Sequence, residues 1–354
     1  MAEAITPVDQ LKQRLQANWP HLKEARRLSR DTRAKLTGAL ARLDSEDTSI
    51  VVDGSLARGE FTEGSDIDWT LLIDGAADPR HHDLTRKIKA VVDSFAKKGP
   101  GAEGLFGSMV FSHDLIHQIG GEDDTNTNTT RRLLRLLESC AVGRGAAHHR
   151  VTRNILNRYL LEDRGSWKGS PYRVPRFLQN DFARYCRTIT VDFAFKVRSR
   201  SGQGWAIRNV KLRMSRKLLY VSGLLACFGC HLDHTPDQWR EMANSAEKQE
   251  RIVEHFHGIF RQTPLEIIAS TLLKFEHLDN ASRKVFDSYD EFLGLLASTD
   301  ARARLETVSE EDATSDGIFQ RARALSHTFR DGLLAIFFDP LSELNELTKN
   351  YGVF

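Results

Sequence analysis

The 354-residue sequence predicts an α+β fold, a short strand-bearing N-terminal part followed by a large all-helical region. Two observations carry this. Short β-branched or alternating apolar runs occur only in the first third, near 49–53, 69–73 and 105–111. From Thr235 onward the apolar residues recur at helical spacing, with no strand signal and no internal repeat.

Taken in order, Pro7 to Leu43 reads as one or two helices. Ser49 to Asp53 is a β-branched run and reads as a strand. Gly54-Ser55 makes a turn, and Leu56 to Gly59 one turn of helix. Asp66-Ile67-Asp68 opens a second strand carrying Trp69, Leu71, Leu72 and Ile73. Leu84, Ile88, Val91, Val92 and Phe95 recur at helical spacing, predicting a helix from His81 to Lys98 that Gly99-Pro100-Gly101 stops. Leu105 to Phe111 is the third strand. A polar loop from Gly120 to Thr130 leads into a helix that buries Leu133, Leu134, Leu136 and Leu137 and turns Arg131, Arg132 and Arg135 outward or toward a cleft.

A helix from His148 to Leu161 and a linker from Gly165 to Pro175 follow. Helices are then predicted over Arg176–Arg198, Trp205–Cys227, Arg251–Phe260, Pro264–Leu278, Ala281–Leu296 and Ala324–Leu347, with an acidic loop at Glu306–Asp316. The expected division is a catalytic domain over 1–130 with its N-terminal helices, and a helical domain over 131–354. The latter would comprise a basic part, 131–220, and a bundle, 235–354.

The chemistry concentrates in residues 54–74, GSLARGEFTEGSDIDWTLLID. Side chains alternate along a strand, so Asp66 and Asp68 share a face about 6–7 Å apart, while Ile67, Trp69, Leu71 and Ile73 face a core. Two carboxylates so held suit Mg²⁺, which takes a few carboxylate oxygens together with substrate phosphates. Gly54 lets the backbone approach a ligand, Ser55 supplies a hydroxyl, and the helix start that follows offers amides to an anion. Arg58 lies on that turn. A lone Asp-x-Asp is commonly a solvated strand end. The Gly-Ser turn, the eleven-residue spacing and the apolar strand together are far more specific.

This combination resembles the DNA polymerase β-like nucleotidyltransferase superfamily, whose members include bacterial cGAS-like defence enzymes and PII uridylyltransferases. The resemblance implies a polymerase β-like domain, a small mixed sheet with helices on one face. It implies transfer of a nucleoside monophosphate from an NTP or dNTP to a hydroxyl acceptor with loss of pyrophosphate. Gly54 and Ser55 would hold the triphosphate, with Arg58 assisting, and Asp66 and Asp68 would hold two Mg²⁺ ions, Mn²⁺ being the substitute. The family pattern adds a third carboxylate on a later strand. Asp114, at the end of the 105–111 strand, is the first choice and Glu103, at its start, the competitor. Template-independent members carry a Lys/Ser helix, which Lys211 and Ser215, on one face with Arg208, resemble.

Charge is uneven. Net charge is only +2, yet residues 131–220 hold twenty-one Lys and Arg against five acids, a surplus of sixteen positive charges. Such a block next to an acidic metal site suggests a polyphosphate, nucleic-acid or oligonucleotide surface; its plainer reading is a set of solvated helix faces. No apolar run approaches the roughly 18 residues that span a membrane, and the N-terminus lacks a signal pattern. Four cysteines suit a reducing compartment, so the expected setting is the cytoplasm. The compact cluster Cys227, Cys230, His231 and His234 reads as buried helix-end residues rather than a zinc site. The functional expectation is a nucleotidyltransferase with a nucleic-acid or oligonucleotide product, in a defence role. The alternatives are a protein-modifying nucleotidyltransferase and a non-catalytic nucleotide- or RNA-binding adaptor. A protein partner or an oligomer is compatible with each.

Overall fold

A computed structural model describes residues 5–95, 105–163 and 174–352. The predicted stop at Gly99–Gly101, the candidate Glu103 and most of the 165–175 linker lie outside these residues. The chain forms two compact units: residues 25–170 with 234–263, and residues 1–24 with 171–233 and 264–354.

The first unit is built on a four-stranded mixed sheet of Thr48–Asp53 (β1), Asp68–Ile73 (β2), Ser108–Phe111 (β3) and Ser139–Ala141 (β4), in the order β3-β2-β1-β4. Strand β1 (Thr48–Asp53) pairs antiparallel with β2 (Asp68–Ile73), from Thr48 opposite Ile73 to Asp53 opposite Asp68. Strand β3 (Ser108–Phe111) lies parallel to β2, with Thr70 opposite Ser108 and Ile73 opposite Phe111. A parallel neighbour requires a crossover, and the helix Arg80–Phe95 belongs to it. One face of the sheet carries Ile50, Val52, Trp69, Leu71 and Ile73, packed with Leu36 and Leu40 of the helix Pro20–Leu40 and with Ile88 and Val92 of Arg80–Phe95. The alternation expected for β2 is therefore present.

Strand β4 (Ser139–Ala141) was not legible as a strand: three residues are too few for a periodic signal. It pairs antiparallel with β1, Asp53 lying opposite Ser139. This pairing moves the domain boundary. The helices Asn126–Leu137 and Ala146–Glu162 flank β4 in the chain and belong to the sheet unit, where the sequence had placed them in the helical domain. The His148 amide donates to Ser49 Oγ at 3.1 Å, fixing the second helix to the face of β1 opposite Ile50. Helices thus cover both faces of the sheet, not one.

The helical unit matches the predicted helices closely. Arg176–Ser199, Asp279–Ala297 and Gly317–Phe337 are continuous, while Asp339-Pro340 separates the last from Glu343–Leu347. Helix Thr299–Thr307 and, in the sheet unit, helix Pro236–Asn244 were not predicted. Trp19 stacks on Phe286 with centroids 4.8 Å apart, and its indole N–H donates to Asp287 at 2.7 Å. Asp279–Ala297 and Gly317–Phe337 approach so closely at Gly332 that a Cβ there would stand 2.9 Å from Val285. No helix among the described residues is long and apolar enough to cross a membrane.

Candidate active site

Strand β1 ends at Asp53, whose extended backbone (φ −125°, ψ 177°) hands over to the short helix Gly54–Arg58. Gly54 has φ +69°, a left-handed conformation that side chains with a Cβ adopt at a cost. Its amide donates to the Glu138 carbonyl at 3.2 Å. The amides that follow are at a helix start and have no intrahelical acceptor. A Cβ built on Gly54 would lie 2.9 Å from Asp68 Oδ2. The Asp68 carboxylate therefore rests against the backbone of the Gly-Ser turn, and the two halves of the sequence motif form one site.

Asp68 is the first residue of β2, and Asp66 lies in the segment leading into it. Burial alternates through this segment: Asp66 and Asp68 are half-exposed, Ile67 and Trp69 buried. The apolar pair is locked in the core, which directs the two acids to the accessible side. Hard carboxylate oxygens in an open position beside a glycine turn fit a divalent cation such as Mg²⁺.

Arg58 departs from its expected role. It is buried, with Nε donating to Glu60 at 2.8 Å and a second ion pair to Glu138. Both carboxylates are also buried, so this cation is committed to closing the fold around the turn rather than offered to a triphosphate.

Strand pairing does not set Asp114 beside Asp68. Strands β2 and β3 run the same way, and the Gly107 amide donates to the Trp69 carbonyl at 2.7 Å. The end of β3 level with Asp68 is therefore its beginning. Phe111, at its other end, is level with Ile73, five residues or about 16 Å from Asp68 along the sheet. Asp114 follows Phe111, on the short helix Ser112–Ile116.

The acid that the fold does place beside Asp68 is Asp53, directly across the antiparallel pair. It is buried, and both oxygens are engaged: Oδ2 accepts from Thr70 Oγ1 at 3.0 Å and Oδ1 from Arg135 at 3.2 Å. Burial raises its carboxyl to about 6, with Glu138 pushing the same way and Arg135 and Thr70 opposing. A buried acid ending an apolar strand just before Gly-Ser was the available signal, but only the β1–β2 register reveals its neighbour.

Arg135 is one of the arginines expected to turn outward or toward a cleft. Arg132 is another, fully buried, with Nη1 and Nη2 donating to the two oxygens of Asp124 at 3.1 and 2.9 Å and Nε donating to Tyr159 at 2.7 Å. Arg150 pairs with Asp74, and Arg153 with Glu250 and Glu254. Much of the basic surplus in 131–153 is thus consumed inside the sheet unit. The surplus that remains lies in 171–220, in the helical unit, with twelve Lys and Arg against Asp181 and Asp192.

Lys211 and Ser215 lie in one helical run, Trp205–Lys211, a π turn Leu212–Arg216, then Lys217–Asp233. Lys211 is half-exposed and Ser215 buried at 6% exposure, so they do not present a common open face. The π turn, which widens the helix, carries Met214 and Ser215 inward together.

Neither a curated protein nor a solved structure matches the chain. One family model does, covering the region that contains β1, the Gly-Ser turn and β2: residues 33–100 match the nucleotidyltransferase domain.

Proposed function

We propose that this protein is a divalent-metal-dependent nucleotidyltransferase acting at Asp66, Asp68 and the Gly54-Ser55 turn. The observation that carries the reading is the seating of the Asp68 carboxylate against Gly54, within the region similar to nucleotidyltransferase domains. Asp66 and Asp68 would hold the cation. When bound, the metal supplies charge neutralisation of the triphosphate and activation of the acceptor hydroxyl.

The chain's own contribution is positioning. The Ser55 hydroxyl and the amides after it receive the phosphates, and Gly54 leaves the space a side chain would fill. Asp53, held by Thr70 and Arg135, keeps the ends of β1 and β2 in register beneath the acids. In the reaction an acceptor hydroxyl oxygen bonds to the α-phosphorus. The bond from that phosphorus to the bridging oxygen breaks, pyrophosphate leaves with the electron pair, and the hydroxyl proton passes to solvent.

We favour a nucleic-acid or oligonucleotide product, in a defence setting, because the cationic surplus of 171–220 suits a polyanion. The deciding experiment incubates the protein with each α-labelled NTP and dNTP in Mg²⁺ or Mn²⁺ and analyses the labelled product. Release of pyrophosphate that Asp66→Ala and Asp68→Ala abolish supports the reading. No pyrophosphate from any nucleotide overturns it, and label on protein alone replaces the polyanionic product with a protein acceptor.

A further inference from the structure

The helical unit contains a cavity of about 500 Å³ that the proposed chemistry does not use. Leu212, Val221 and Leu224 line it from the helical run 205–233, and Leu333 and Phe337 from Gly317–Phe337. Leu334 and Phe338 also line it, yet are 48% and 47% exposed, so the apolar surface continues out to the mouth. The volume falls within the roughly 300–1,000 Å³ of ordinary ligand pockets.

Four cations line the same cavity: Arg213, Arg216, Lys217 and Arg330. Arg330 is paired with its neighbour Asp331 at 2.8 Å. Arg213 donates to Asn209 at 2.7 Å, and among the described residues neither it nor Lys217 has a carboxylate partner. Burial lowers the Lys217 pKa, with Arg330 and Arg213 adding to the effect; Arg213 is lowered by burial, then by Arg323 and Arg330. Among the described residues, Arg213 and Lys217 are thus drawn together with no carboxylate on either. Partly buried like charges are unfavourable unless something neutralises them.

The chemistry of the lining restricts the ligand. A nucleoside needs converging donors and acceptors for its base and ribose, whereas these walls are mainly hydrocarbon. We propose that the cavity binds an amphipathic anion, a single alkyl or acyl chain ending in a phosphate or carboxylate. The chain would lie along Leu212, Leu224, Leu333 and Phe337, and the head group would meet Arg213 and Lys217. The site is independent of Asp66 and Asp68, and its failure would leave the nucleotidyltransferase reading untouched.

Calorimetric titration of the full-length protein with octyl, decyl and dodecyl phosphates, the matching carboxylates and the matching alcohols, all below micelle formation, tests this. Expected is one anion per chain, tightening by about fourfold for each methylene buried, with each alcohol at least tenfold weaker than its phosphate. Lys217→Gln and Arg213→Gln should each weaken the anions at least tenfold and leave the alcohols unchanged. The comparison of phosphate with carboxylate identifies the preferred head group. Leu224→Trp, which fills the cavity, should abolish binding; if that variant fails to fold, the two charge variants decide the matter. Equal affinity for alcohol and phosphate, absence of saturable binding, or competitive displacement of dodecyl phosphate by ATP overturns the proposal.

Discussion

The Asp68 carboxylate lies where a side chain on Gly54 would have to be, 2.9 Å from an ideal Cβ at that position. The turn expected to receive phosphates and the strand expected to receive metal are therefore a single packed unit. Gly54→Ala makes this testable. The alanine would sit at φ +69°, costing about 1–2 kcal/mol, and its methyl would displace the carboxylate. Pyrophosphate release should fall at least 100-fold while far-ultraviolet circular dichroism stays as in the wild type. Activity within tenfold of wild type would show that the contact is dispensable.

Asp68→Asn separates chemistry from stability. The side chain is half-exposed at the start of β2, so loss of its charge should abolish turnover and move the melting temperature by no more than a few degrees. A variant that unfolds would assign Asp68 to the scaffold.

The pair Asp53–Arg135 is the opposite case. Arg135→Met leaves the buried Asp53 carboxylate without its cation, and breaking a buried ion pair in this way costs about 3–5 kcal/mol. Adding Asp53→Asn in the same chain should recover most of that loss. Urea denaturation of the two single variants and the double variant measures the coupling, and additive losses would mean that the pair does not act as one.

Acid should destabilise the sheet unit through His148. Burial holds its pKa down to about 3, with Arg135, His257 and His149 pushing the same way. Ser139 Oγ donates to the Arg135 carbonyl at 2.7 Å, which leaves it to accept from His148 Nε2 at 2.8 Å. The unfolded chain takes up this proton near 6.5 and the folded chain near 3. Stability from this group is complete above pH 6.5 and declines as pH falls toward 3, by up to about 1.4 kcal/mol per pH unit. Asp53, with its carboxyl raised to about 6, acts in the opposite sense below that pH, so chemical denaturation from pH 7 to 4 should show His148→Asn losing less stability on acidification than the wild type. An unchanged slope in the variant would place the acid sensitivity elsewhere.

Local chemistry was readable in the sequence wherever a residue acts through its neighbours along the chain. The strands near 49–53 and 69–73, the glycine turn, the alternation that buries Ile67 and Trp69, and the long amphipathic helices all follow from spacings of two and 3.6 residues. Tertiary structure decided what depends on residues distant in sequence. The parallel pairing of β2 with β3 set Phe111, the strand end that precedes Asp114, level with Ile73, and the antiparallel pairing of β1 with β2 put Asp53 opposite Asp68. The three-residue strand β4 drew 126–162 into the sheet unit. Arginines that look solvent-facing on a helical wheel found buried carboxylates at Asp53 and Asp124. Periodicity reports which residues face a core but not which charges meet there, because a partner is chosen by strand register and helix docking. The motif at Gly54 and Asp68 was visible in advance since both rules converge on it. The pairing of Asp53 with Asp68 was not, since only strand register determines which carboxylate stands opposite another.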